Sequence, residues 1–334
     1  MKPSNVVTAV ALAAAAAFAL AAGDEPPVGQ QVKEFPCVDV LNMRPTTNPL
    51  KSLKGRVVLF IHFQTWYPKC VDAIGDLNKL YDKFGPGGLT PICVAEQERK
   101  QFEPVATEKG LKLPVALVDT PTAEQFKRDL PAPGFPWSFL VDVNGKIVWQ
   151  GHPQMIPKGT IEPHLGATTQ PPLLPARFAD AQAQLDDGRW AAARKTLLDA
   201  AATLDAKTDK ADVGWAKGVA AWIEMRRGTY FTEADELCKR GWWWDAWDMM
   251  NDFPRRFEAM EGVDTAKAKA AEIRANPDAA KDLAAGDDIV KAKAHIANNK
   301  PQNARLILQR LVKEQRGNRH ADRAKELLEK LPAK

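Results

Sequence analysis

At Gln170-Pro171-Pro172-Leu173-Leu174-Pro175 the texture of the chain changes, and no other feature limits the fold as much. Proline fixes φ and removes a backbone donor, so this stretch cannot lie inside a helix or a central strand. Upstream of it, short β-branched runs alternate with helical patterns, at residues 57–63, 70–84, 89–94, 115–118 and 139–141. That order is the order of an α/β domain. In the helical run 70–84, Cys70, Ile74, Leu77, Tyr81 and Phe84 recur at three- and four-residue steps and therefore share one buried face. Asn144-Gly145, between runs 137–143 and 146–150, reads as a two-residue hairpin turn with positive φ at both positions, so the sheet is expected to close on an antiparallel edge.

From Ala176 onward the pattern is helical throughout, and it repeats. Leu185-x-x-Gly188-Arg189-Trp190-x-x-Ala193 corresponds to Cys238-x-x-Gly241-Trp242-Trp243-x-x-Ala246 and to Ile296-x-x-Asn299-Lys300-Pro301-x-x-Ala304, so that the alanines recur after 53 and 58 residues. Gly188, Gly241 and Asn299 are types that accept a left-handed helix cap, and each alanine lets a second helix approach closely. The arrangement resembles tetratricopeptide-type helical hairpins, although the spacing exceeds their usual ~34 residues. Stacked hairpins make extended binding faces and carry no chemistry themselves. Trp242, Trp243, Trp244 and Trp247 crowd into one turn of this half, with the last three on one helix face. They read either as core between hairpins or as a ligand or partner cleft.

The N-terminus bears on the compartment. Lys2 precedes an uncharged, alanine-rich run at 6–20 and the small residues Ala19-Leu20-Ala21-Ala22-Gly23, the pattern of a secretory signal peptide cleaved near Ala21 or Ala22. An apolar run of about fifteen residues is shorter than the ~20 of a membrane-spanning helix, which favours a cleaved signal over the alternative, an uncleaved anchor. No stable membrane insertion is expected after cleavage, and the mature chain is expected in the periplasm or secreted. The chain is accordingly read as a signal peptide at 1–22, an α/β domain at 28–165, a Pro-rich linker at 166–175 and an all-α helical-hairpin domain at 176–334. With 46 Lys and Arg against 42 Asp and Glu, interspersed, there is no basic stripe, and nucleic acid is not an expected partner. Four cysteines, Cys37, Cys70, Cys93 and Cys238, are too few for a disulfide-built scaffold. His62, His152, His164, His295 and His320 are scattered, and no Cys-x-x-Cys occurs, so neither a metal site nor a cofactor is expected.

Three segments carry a family resemblance. Residues 53–60 (Leu-Lys-Gly-Arg-Val-Val-Leu-Phe), Phe63-Gln64-Thr65-Trp66-Tyr67-Pro68-Lys69-Cys70, and 134–148 from Gly134-Phe135-Pro136-Trp137 through Asn144-Gly145 resemble, in order and spacing, the redoxin branch of the thioredoxin-like superfamily, which includes TlpA-type thiol–disulfide oxidoreductases. The resemblance covers about residues 30–155 and implies a central mixed sheet flanked by helices. It implies that Pro136 is the cis-proline beside the family's redox site, that Trp66 precedes the reactive pair, and that Tyr67 and Cys70 occupy the first and second cysteine positions.

At Tyr67 the chain departs from that pattern. The leading cysteine of such a pair sits at a helix N-terminus, where unpaired N–H groups and the helix dipole favour the thiolate nucleophile. A phenol has no two-electron sulfur chemistry, so no dithiol can form between positions 67 and 70. Cys70, one turn into the helix on its apolar face, reads as a core cysteine first and as a nucleophile second. Cys37 and Cys93 read as small buried hydrophobes, either of which is a conceivable partner for Cys70, and Cys238 as core of the other domain. His62 reads as packing or as a base near the old site. Two functions follow. One is a peptide- or protein-binding or assembly module of the cell envelope, with Trp66, Tyr67, Pro136 and Trp137 forming its groove. The other is a thiol–disulfide oxidoreductase in which Cys70 works with another cysteine or a partner's thiol.

Overall fold

The computed structural model describes residues 28–331, and the signal peptide read at 1–22 lies outside them. The described chain divides into two compact units, 28–177 with 206–218 and 178–205 with 219–331.

The first unit is built on six strands, β1 (Asp39–Leu41), β2 (Val57–His62), β3 (Leu89–Ala95), β4 (Val115–Leu117), β5 (Trp137–Val141) and β6 (Ile147–Gly151). They lie in the order β1-β4-β3-β2-β5-β6. β2, β3 and β4 run parallel, while β1, β5 and β6 pair antiparallel with β4, β2 and β5. Every residue of β2 and β3 is buried, as strands covered on both faces must be. The helices of this unit are α1 (Pro49–Ser52), α2 (Pro68–Phe84), α3 (Arg99–Glu108), α4 (Thr120–Asp129) and α5 (Glu162–Leu165). On one face of the sheet Phe60 and Phe139 pack with Phe35 and with Phe126 of α4, the last two rings 4.8 Å apart. Leu59, Ile61 and Cys93 alternate to the other face, toward the buried side of α2 formed by Cys70, Ile74, Leu77 and Tyr81.

Asn144-Gly145 does join two antiparallel strands, but by a different turn. Only Gly145 has positive φ (84°); its N–H donates to the Asp142 carbonyl at 2.9 Å, and the ladder shifts register between Leu140 and Val141. The Asp142 carboxylate accepts from the N–H groups of Asn144 (2.9 Å) and Lys146 (3.0 Å), which holds a longer turn in which Asn144 need not turn left-handed.

The Pro-rich stretch read as a linker runs along the first unit. Thr168 is fully buried, the Thr169 N–H donates to the Gly55 carbonyl at 2.9 Å, the Tyr81 hydroxyl donates to the Leu173 carbonyl at 3.0 Å, and Leu173 packs on the core. Residues 206–218 belong to the same unit because Trp215 is buried there. Its ring meets Tyr81 edge-on at 4.9 Å and its Nε1–H donates to Asp82 at 3.1 Å. Gly85 leaves room for that indole, since a Cβ there would fall 2.3 Å from it.

The second unit is helical: α6 (Ala179–Asp186), α7 (Trp190–Thr203), residues 219–239 of α8 (Lys210–Lys239), α9 (Trp243–Arg256), α10 (Val263–Ala275), α11 (Ala280–Ala297), α12 (Pro301–Glu314) and α13 (Arg319–Glu329). The repeated motif marks three turns of one geometry. Gly188, Gly241 and Asn299 take φ of 73°, 72° and 52°. Beyond them the N–H groups of Arg189, Trp242 and Lys300 donate to the carbonyls of Gln184, Leu237 and His295 at 2.8, 2.9 and 2.8 Å, the bond that satisfies orphan carbonyls at a helix end. Ala193, Ala246 and Ala304 are all fully buried. Trp244 is buried and Trp243 and Trp247 are half-buried against Ala279 and Leu283, so these rings are core.

Two outcomes follow from that packing. A Cβ on Gly286 would lie 1.9 Å from the Trp244 ring. Overpacking here costs about 1–3 kcal/mol against the roughly 1 kcal/mol that alanine gains in helix propensity, so Gly286→Ala is expected to be destabilising by up to about 2 kcal/mol net. A urea midpoint above that of the wild type would contradict this. Asp282 accepts from the Trp244 N–H at 2.8 Å, from His320 Nε2 at 2.9 Å and from Arg319. Burial pushes its carboxyl pKa up, but these donors overcome that and hold it at about 2. A depressed folded pKa means stability that is present above the unfolded value of about 3.9 and is lost as pH falls toward 2, here on the order of 2 kcal/mol. Asp282→Asn is expected to remove this part of the pH dependence between about pH 5 and pH 2, as followed by urea unfolding, and an unchanged profile would contradict it.

Candidate functional site

Pro68 opens α2 at its first position, and Tyr67 before it is the N-cap, with extended backbone at φ −96° and ψ 114°. The Tyr67 carbonyl accepts from the N–H of Cys70 at 3.0 Å and of Val71 at 3.4 Å. Its side chain makes no capping hydrogen bond. The phenol ring instead joins Trp66 and Phe135, with the three centroids 6.0 to 6.2 Å apart in pairs. Trp66 is 65% exposed, and Tyr67 and Phe135 are half-buried. The loop that carries Trp66 is held from below, because the Thr65 N–H donates to Gln97 Oε1 at 2.8 Å and Gln97 Nε2 donates to the Thr65 hydroxyl at 2.8 Å. The Phe135–Pro136 peptide is cis, and β5 begins to pair with β2 only at Trp137, so the backbone of Phe135 and Pro136 lies beyond the ladder.

Trp66, Tyr67 and Pro136 thus meet at one end of the sheet, and Phe135 completes the aromatic surface. Trp137 turns elsewhere. It stands opposite His62 in the β2–β5 register and packs on the core cluster of Phe60, Phe126 and Phe139, with its Nε1–H buried and without a partner among the described residues. Phe135 was legible only as the residue before the proline, and Gln97, more than thirty positions from Thr65, gave no local signal.

All four cysteines are free thiols. Cys70, third residue of α2, is fully buried; burial pushes its thiol up to about 11, against one opposing hydrogen bond from the Gln64 backbone. Desolvation here outweighs the helix N-terminus, which by itself favours a thiolate. Cys93, also fully buried, is raised further by burial and by its proximity to Cys70. Cys37 is buried with its thiol donating to the Thr46 carbonyl at 3.1 Å, and Cys238 is half-buried in the second unit.

His62, the last residue of β2, is 3% exposed and stacks on Phe126 at 4.7 Å. Burial, and secondarily Lys127, lowers its pKa to about 4, so the ring is neutral at ordinary pH.

Residues 28–150 match the AhpC/TSA family. A relative named thiol-disulfide oxidoreductase ResA, from Bacillus thuringiensis (strain Al Hakam), is 29% identical over 119 residues, which is 35% of this chain and 67% of that protein. The protein of the same name from Bacillus anthracis is likewise 29% identical over 119 residues, covering 35% of this chain and 67% of that one. Among solved structures, a putative thiol:disulfide interchange protein DsbE from Chlorobium tepidum shares 21% identity and covers 43% of this chain and 99% of its own, with a TM-score of 0.35. The family match falls on the unit that carries the six-stranded mixed sheet and the cis-proline, and the fold of that unit is thioredoxin-like.

Proposed function

We propose that the protein is an exported thioredoxin-fold module that holds extended peptide or protein segments on the surface of Trp66, Tyr67 and Phe135, beside the buried Pro136, and that dithiol exchange has been lost from this position. The observation that carries this reading is the residue at the helix cap. A phenol occupies the place from which a thiolate would attack, and Cys70, three residues on, is fully buried with its thiol raised to about 11. What remains accessible is aromatic area beside backbone that no strand has paired, which suits an extended segment bound by strand addition with aromatic anchors. The leader pattern at 1–22 supports export, and the repeated helical turns of the second unit support a tetratricopeptide-like surface for a further protein contact.

A thiol–disulfide oxidoreductase remains the second reading. It is favoured by the names of the ResA relatives and by two thiols, Cys70 and Cys93, buried close enough to influence each other.

The two readings separate in one experiment. The purified mature protein is expected not to speed reduction of insulin by dithiothreitol, and Tyr67→Cys is expected to gain such activity with Cys70. Tyr67→Ala is expected to weaken capture of a partner from an envelope extract by about 1–3 kcal/mol, the range of an interface anchor. Turnover by the wild type at micromolar concentration would overturn the binding reading in favour of the enzyme.

A further inference from the structure

Away from the aromatic surface, an open cleft of about 250 Å³ runs along the second half of α2. Its other wall is the segment that follows β6, residues 153–162, and two polar ties hold that segment to the helix. Gln154 Nε2 donates to the Asp76 carboxylate at 2.7 Å, and the Glu162 carboxylate lies 3.9 Å from Lys83 Nζ. Asp76 and Lys83 are seven residues apart, which is about 10 Å along a helix. Leu77, Leu80, Phe84, Ile156 and Ile161 supply the apolar lining. Leu77 and Ile161 are buried, while Leu80, Phe84 and Ile156 keep part of their surface open to solvent. An apolar cavity of about 150 Å³ holds benzene, so this one has room for on the order of ten non-hydrogen atoms.

The charges around the cleft select what those atoms are. Asp76 is answered by Lys79 at 3.0 Å and by Gln154, which together hold its carboxyl below the usual range. Glu162 is answered by Lys83, whose ammonium also lies 4.3 Å from the centre of the Phe84 ring. Lys158, the remaining charged residue of the lining, has no acidic partner among the described residues. One positive charge is therefore left over beside an apolar trough. An ammonium would add to that surplus, and a neutral alcohol would leave it standing. A single carboxylate would balance it.

We propose that the cleft binds a monocarboxylate with an unbranched apolar body of about eight carbons, the body lying between the two ties against Leu80, Phe84 and Ile156 and the carboxylate meeting Lys158. The length between the ties suits an extended chain rather than a compact ring system. The site shares no residue with the surface of Trp66, Tyr67 and Phe135, and Asp76 lies nine residues beyond Tyr67, about 13 Å along α2. It therefore stands or falls separately from the peptide reading.

Isothermal titration calorimetry on the full mature protein tests this with three probes of one length: octanoate, 1-octanol and octylammonium. Octanoate is expected to saturate one site and to bind more tightly than octylammonium. Lys158→Gln is expected to weaken octanoate about fivefold, the scale of one solvent-exposed ion pair, and to leave 1-octanol unchanged. Lys158→Glu is expected to reverse the order of octanoate and octylammonium. Ile156→Asp is expected to weaken octanoate and 1-octanol alike, because it puts a charge against the apolar body. If Ile156→Asp fails to fold, the two Lys158 variants, which change an exposed side chain, decide by themselves. Failure of octanoate to bind at millimolar concentration would overturn the proposal. So would an octanoate affinity that neither Lys158 variant changes, since the carboxylate would then lie elsewhere.

Discussion

Proline at the first position of α2 is tolerated because the N–H it lacks would have no partner there, whereas deeper in a helix it would break a bond and clash with the preceding turn. Pro68 therefore fixes the register of everything beside it. Tyr67 becomes the cap, outside the helix and able to turn its ring to Trp66 and Phe135, and Cys70 becomes the third helical residue, turned inward with Ile74 and Leu77. A thiol at the cap would feel the helix dipole and remain in reach of solvent. The same thiol three residues later feels mostly desolvation.

The scaffold keeps this end of the sheet in place by means that do not involve sulfur. The fully buried central strands β2 and β3 deliver His62 and Glu96 to one edge, Gln97 bonds the loop that carries Trp66, and Phe135 joins the aromatic surface from the start of β5. The second unit is held by repetition. Three turns share the same left-handed residue, the same carbonyl-satisfying bond and the same buried alanine, and Asp282 ties the N-terminus of α9 to α13.

Local and periodic features were legible in the sequence. The apolar face of α2 follows from three- and four-residue spacing, the α/β order from alternating textures, and the turns at Gly188, Gly241 and Asn299 from residue types that accept positive φ. Facing and long-range pairing were not. Trp137 could not be assigned to a side of the sheet until its register opposite His62 was known, because a shift of one residue reverses every side chain of a strand. The stretch at 166–175 carries a linker's composition, yet the carbonyl of Leu173 is taken up by Tyr81, ninety-two residues away, and its side chain packs on the core.

The claim on which the rest depends is that the first unit presents no usable thiol where its relatives' fold would place one. Pulsed alkylation with iodoacetamide, read at each cysteine by mass spectrometry in native buffer and in denaturant, tests it directly. The account predicts that Cys70 and Cys93 stay unmodified until the chain unfolds, while half-buried Cys238 reacts sooner and serves as the internal reference. Native modification of Cys70 at the rate of an exposed thiol would contradict the register of α2, the burial of its third residue and the loss of exchange chemistry together.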